Sequence, residues 1–114
     1  MFINGEWVGA RSGATFEVTN PATGEVIGTV EDGGAEDAGA AIAAADAAQS
    51  AWGATTAFER ADLLMEAWRI MTERSADLAA LMTKEQGKPL KASSAEVTYA
   101  ADFLRWFAEQ ARRI

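Results

Sequence analysis

The sequence predicts an α/β chain in which a short antiparallel β hairpin or meander, over residues 1–32, is followed by about four α-helices over residues 35–114. Three observations carry that prediction. β-Branched and aromatic residues crowd the first 30 positions around turn-forming pairs, the composition changes to alanine after Asp32-Gly33-Gly34, and from Thr56 onward apolar residues return every three to four positions.

Phe2, Ile3, Trp7 and Val8 surround Asn4-Gly5, a dipeptide that favours a tight turn, so Phe2 to Val8 is expected as one short strand bent at Gly5. Phe16, Val18, Val26, Ile27 and Val30 flank Asn20-Pro21-Ala22-Thr23-Gly24, which has the Pro and Gly of a turn between two strands. These segments are expected to join in one small antiparallel sheet, which needs helices or another domain over one face to be stable. A helix follows over about Ala35–Ala51, with Glu36 and Asp37 complementing the positive end of its dipole. Ile42, Ala45, Ala48 and Trp52 make its packing face, and Gly53 is expected to stop it.

Thr56-Ala57-Phe58-Glu59 is a capping box, opening a helix to about Arg74 that buries Ala61, Leu64, Trp68 and Met71. A further start at Ser75, with Leu78, Leu81 and Met82 on its apolar side, ends near Gly87-Lys88-Pro89. The last helix is expected from Ser93 or Ser94, as N-cap, to the end of the chain, with Arg112 and Arg113 against the helix dipole. It has two apolar stripes. Val97, Ala101, Leu104, Ala108 and Ala111 form one; Tyr99, Phe103, Trp106 and Phe107 form the other, so the helix wants cover from two sides.

At 114 residues one compact unit is the ceiling. With 17 acidic against 10 basic residues, the net charge of −7 repels phosphate backbones and anionic lipid, which argues against nucleic acid or a membrane surface as partner. The absence of cysteine and histidine removes disulfides, thiolate nucleophiles and the commonest metal ligands, leaving carboxylates and lysines for any catalysis. No signal-peptide pattern or membrane-length apolar run is present, so the expected location is cytoplasmic.

No motif rises to a catalytic, cofactor-binding or metal site. Gly33-Gly34 and Gly39 supply neither GxGxxG nor a Walker sequence. The acidic pairs Glu31-Asp32 and Glu36-Asp37 read as a solvated strand end and a helix start. Glu85-Gln86-Gly87-Lys88-Pro89 sets a lysine near a carboxylate in a Gly-Pro turn, a pattern able to bind an anion but more often a helix terminus.

Phe2-Ile3-Asn4-Gly5-Glu6-Trp7-Val8, then Asn20-Pro21-Ala22-Thr23-Gly24-Glu25-Val26-Ile27, then Glu85-Gln86-Gly87-Lys88-Pro89-Leu90 resemble, in order and spacing, the start of the aldehyde dehydrogenase superfamily. The alanine-rich helix ending in Ala51-Trp52 and the Glu59-Arg60 helix opening extend the resemblance over essentially the whole chain. Glu96-Val97, Tyr99-Ala100-Ala101, Phe103 and Trp106-Phe107-Ala108-Glu109 are similar to the succinate-semialdehyde type, with Ala95 standing where that type is expected to carry glycine.

The resemblance implies that residues 1–114 are the N-terminal part of a Rossmann-like cofactor-binding domain, with the catalytic and oligomerisation domains absent. It implies an intact enzyme, expected as a homo-oligomer, that oxidises a small aldehyde with NAD or NADP through a cysteine thiolate, an oxyanion-holding asparagine and a glutamate base. None of those residues matches a position here, and Asn20 is not the oxyanion asparagine. The chain alone is therefore expected to be an inactive scaffold that binds no cofactor and whose partner is the rest of the dehydrogenase polypeptide. The alternative is a free-standing helical interaction module that uses the apolar helix around Phe103 and Trp106.

Overall fold

The computed structural model describes residues 1–113; Ile114, the last residue of the final expected helix, lies outside them. The strands are β1 (Phe2–Ile3), β2 (Glu6–Trp7), β3 (Thr15–Thr19) and β4 (Val26–Glu31), and the helices are α1 (Ala35–Ala54), α2 (Ala57–Glu73), α3 (Ser75–Gln86) and α4 (Leu90–Ala111). The strands-then-helices order is the one the sequence predicts. In place of one compact unit there are two: residues Met1–Thr19 with Gly24–Ala54, and Asn20–Thr23 with the chain from Thr55 on.

In the first unit, Phe2 to Val8 is a hairpin and not a bent strand: β1 and β2 are antiparallel, Phe2 opposite Trp7 and Ile3 opposite Glu6. Asn4 (φ 53°) and Gly5 (φ 82°) both take positive φ, which a two-residue loop matched to the strand twist requires. β3 and β4 form a second hairpin with an irregularity between Val18 and Thr19. The two hairpins stay separate two-stranded sheets. Residues between them turn instead of extending a strand: the Gly13 N–H bonds to the Ala10 carbonyl at 2.8 Å, and the Ala10 N–H donates to the Glu31 carboxylate at 2.7 Å.

α1 runs through Gly53 to Ala54. A helical glycine costs about 1 kcal/mol against alanine but does not by itself end a helix; the break comes where Thr56 caps the next one. The expected packing face of α1 is exposed, Ile42 to 69%, while its one buried residue is Asp37.

The second unit holds the interior. The capping box forms as expected: Thr56 Oγ1 accepts from the Glu59 N–H at 3.2 Å, and the Glu59 carboxylate accepts from the Thr56 N–H at 2.7 Å. Ala61 on α2, Ala79 on α3, and Val97, Ala101 and Ala108 on α4 are buried, with Leu64, Trp68, Met71 and Leu104 half-buried beside them. Leu81, expected on the apolar side of α3, is exposed. Most of these interior side chains are small, which lets helix backbones approach closely.

α4 begins at Leu90, three or four residues before the expected caps Ser93 or Ser94. Pro89 precedes its first turn, where a missing N–H costs nothing. Ser94 Oγ instead bonds back to the Leu90 carbonyl at 2.9 Å, and Ser93, fully buried, shares a hydrogen bond with Thr83 Oγ1 of α3 at 2.9 Å. The helix ends at Ala111, so Arg112 and Arg113 lie beyond its last turn; Arg112 pairs with Asp62 of α2. No helix among the described residues is long and apolar enough to cross a membrane.

Candidate functional site

The polar cluster singled out in the sequence, Glu85 to Pro89, folds as the corner between α3 and α4. Gly87 caps α3 with φ 70°, its N–H bonding to the Thr83 carbonyl at 2.9 Å. Pro21 Cγ stands 3.0 Å from where a Cβ at this glycine would sit, so the position needs glycine both for its left-handed backbone and for space. The Lys88 ammonium is paired with Glu96, eight residues further on in α4. With its cation held by a carboxylate, this corner does the work of a helix terminus. Glu85, Gln86 and Glu96 edge a groove of about 290 Å³ with Met71, Met82 and Val97; its rim is acidic, which suits no anion.

The acidic pairs separate on folding. Glu31 and Asp37 are clamps: besides the Glu31 bond to Ala10, the Asp37 carboxylate accepts from the Arg11 N–H at 3.1 Å and the Gly34 N–H at 2.9 Å. Sequence reasoning missed both roles, since their partners at Ala10 and Arg11 lie more than 20 residues away along the chain. The Asp37 carboxylate thus takes the Gly34 N–H just ahead of α1 and places a negative charge at that end of the helix.

Among the described residues, three groups with shifted ionisation lie at exposed contacts of α2. Hydrogen bonds from the Thr56 backbone and hydroxyl hold the Glu59 carboxyl below its usual range. Arg69 does the same for Glu66, and its own guanidinium is pushed up by Glu66 and Glu73, at 2.5 Å each. All three stand exposed and are paired within α2 or its cap, where solvent screens them, whereas an acid–base site is typically set in a cleft. Among the described residues, no three acidic side chains converge as a metal site would require.

What remains is a surface. On α4, Tyr99 and Phe103 meet edge to face at 4.8 Å and Phe103 and Phe107 stack at 6.3 Å, while Trp106 is 57% exposed beside them. Tyr99, Phe103 and Trp106 line an open groove of about 500 Å³ with Asp102, Arg105 and Glu109. The second apolar stripe of the sequence is thus present and bare, and Arg105 at its edge pairs with Asp102 at 3.3 Å and lies over Trp68, 5.6 Å from the ring centre.

The fold is thus two small hairpins and four helices, with a core on one side of α4 and an uncovered aromatic face on the other. The sequence profile of the aldehyde dehydrogenase family matches residues 7–114, and the chain belongs to that family. Among individual relatives, it is 55% identical to glutarate-semialdehyde dehydrogenase of Pseudomonas putida over 99% of this chain and 24% of that enzyme. It is 51% identical to the NADP(+) succinate-semialdehyde dehydrogenase of Escherichia coli over 98% and 23%, and 47% identical to a 3-sulfolactaldehyde dehydrogenase of Pseudomonas putida over 99% and 23%.

Solved structures agree. An Escherichia coli NADP-dependent enzyme superposes with a TM-score of 0.96 at 50% identity, covering 99% of this chain and 24% of that one. Succinate-semialdehyde dehydrogenase from Burkholderia pseudomallei gives 0.95 at 49%, covering 99% and 23%. The chain therefore spans about a quarter of the length of the relatives it matches.

Proposed function

We propose that this chain is the N-terminal part of the cofactor-binding domain of an NAD(P)+-dependent aldehyde dehydrogenase, and that it serves there as scaffold without a catalytic, cofactor-binding or metal-ligating residue of its own. The observation that carries this reading is high similarity confined to about a quarter of each relative. The sequence has no cysteine, so a thiolate for attack on an aldehyde has to come from polypeptide outside these 114 residues. The aromatic face of α4 is then cover for that polypeptide, and the intact enzyme is a cytoplasmic homo-oligomer.

The relatives also bound the substrate. Glutarate semialdehyde, succinate semialdehyde and 3-sulfolactaldehyde are short aldehydes that carry an anionic group, carboxylate or sulfonate, at the far end. Succinic semialdehyde is the first choice, and NADP, named for two of the relatives, is the first cofactor to test.

The test is a graft in which this chain replaces the corresponding quarter of the Escherichia coli succinate-semialdehyde dehydrogenase. The chimera should reduce NADP+ in the presence of succinic semialdehyde, and the 114-residue chain alone should reduce none. Turnover by the chain alone, or a folded chimera without activity, would overturn the reading. The bareness of Tyr99, Phe103, Trp106 and Phe107 favours the interaction module as second reading; it predicts that changing Phe103 and Trp106 to serine leaves the chimera active and stable.

A further inference from the structure

We infer that Asn4 is a site of spontaneous covalent modification, deamidating through a cyclic imide to aspartate and isoaspartate and so loosening the β1–β2 hairpin. Asn4 is exposed at the tip of that hairpin and is followed by Gly5, where even an added Cβ would meet no atom within 4 Å. Beyond its two chain neighbours, nothing crowds the Gly5 backbone on the side where a Cβ would stand, so the turn is open there to rearrangement. The flanking strands are two residues each, closed at the open end by the Val8 N–H to the Met1 carbonyl at 2.8 Å and the Met1 ammonium to the Val8 carbonyl at 2.7 Å. So short a ladder opens locally far more often than the whole chain unfolds, giving the turn the freedom the ring closure needs.

The reaction balances with water and no other reagent. The Gly5 amide nitrogen gives up its proton to base and bonds to Asn4 Cγ, the bond from Cγ to the side-chain nitrogen breaks, and ammonia leaves with the proton returned. Water then opens the five-membered imide at either carbonyl, so that one ammonia has been exchanged for one water. Opening at one carbonyl leaves aspartate, which tolerates the positive φ of 53° at this position. Opening at the other leaves isoaspartate, whose main chain carries an extra methylene; the loop no longer brings Ile3 opposite Glu6, and a new carboxylate stands beside Glu6. Met1, whose Sδ lies 2.5 Å from where a Cβ at Gly33 would sit, then loses the hairpin that holds it there.

The chain has one other asparagine, and it is an internal control. Asn20 is followed by Pro21, whose ring nitrogen carries no proton to lose, and its Oδ1 accepts from the Ala22 N–H at 2.9 Å. The experiment is to age the purified chain in mildly alkaline buffer, natively and in urea, and to map residues 4 and 20 by tandem mass spectrometry with a fragmentation that separates aspartate from isoaspartate. Native chain should lose the Asn4 amide progressively to both products while Asn20 stays intact, and Asn4→Gln, which demands a larger and slower-forming ring, should abolish the conversion. Retention of the Asn4 amide in native chain, whether or not it is lost in urea, overturns the inference, as does equal conversion at residue 20.

Discussion

The two compact units of this chain are built on different physics. In the unit of hairpins and α1, the buried residues are Ala10 and Asp37, and large apolar side chains such as Trp7, Phe16, Ile42 and Trp52 stand in solvent. Its order rests on carboxylates that reach back across the sequence to backbone N–H groups. In the unit of α2, α3 and α4 the interior is a set of alanines and Val97, with one shared hydroxyl pair between Thr83 and Ser93. Polar clamps are directional and few, so losing one is costly and local; small-residue packing is collective and fails by crowding.

That contrast is broken most severely at Asp37. Asp37→Ala removes the charged acceptor of the Arg11 and Gly34 N–H groups, at about 1.5–3 kcal/mol for each hydrogen bond lost. Hydrogen exchange at Arg11 and Gly34 should accelerate strongly while amides of α2–α4 keep their rates; uniform acceleration would contradict two separate units. The matching blow to the other unit is Ala101→Leu, which forces methylenes into a packed contact for about 1–3 kcal/mol. The thermal midpoint followed by helical circular dichroism should fall, with exchange at Arg11 unchanged. A smaller effect of the same locality is Thr56→Ala, which removes one half of the capping box for about 1 kcal/mol and should fray the start of α2 in amide exchange.

The mildest test is acid. Glu59 and Glu66 have folded-state values below their ordinary carboxylate value of 4.5, so their contribution to stability is fully present above that value and disappears as the pH falls through the depressed ones. Denaturation midpoints taken downward from neutral pH should drop in that acidic window, and the double variant Glu59→Gln, Glu66→Gln should flatten this part of the profile. An undiminished slope in the variant would place the acid sensitivity elsewhere.

Much of the fold is legible in sequence because its signals are local. Thr56 and Glu59 are three residues apart, and Val97, Ala101, Leu104 and Ala108 repeat at the helical period, so each declares itself within a turn or two. What sequence reasoning misread depends on distant partners. Ser93 looks like a helix cap until Thr83 is placed against it, Arg112 looks like a dipole partner until Asp62 is, and Asp37 looks solvated until Arg11 returns to it. Gly53 looks like a stop, although the competing signal is the cap three residues on. At the candidate site the aromatic stripe was visible by spacing alone, whereas the pairing of Lys88 with Glu96 required the α3–α4 corner to form.

The distribution of the four tryptophans has an optical consequence. Trp7, Trp52 and Trp106 are 84%, 46% and 57% exposed, and Trp68 is half-buried beneath the Arg105 guanidinium. Indole fluorescence from this chain should therefore already lie toward the red, with little further change when denaturant is added. Trp106, on the bare side of α4, would shift to the blue when that side is covered, making the chain its own spectroscopic reporter of assembly.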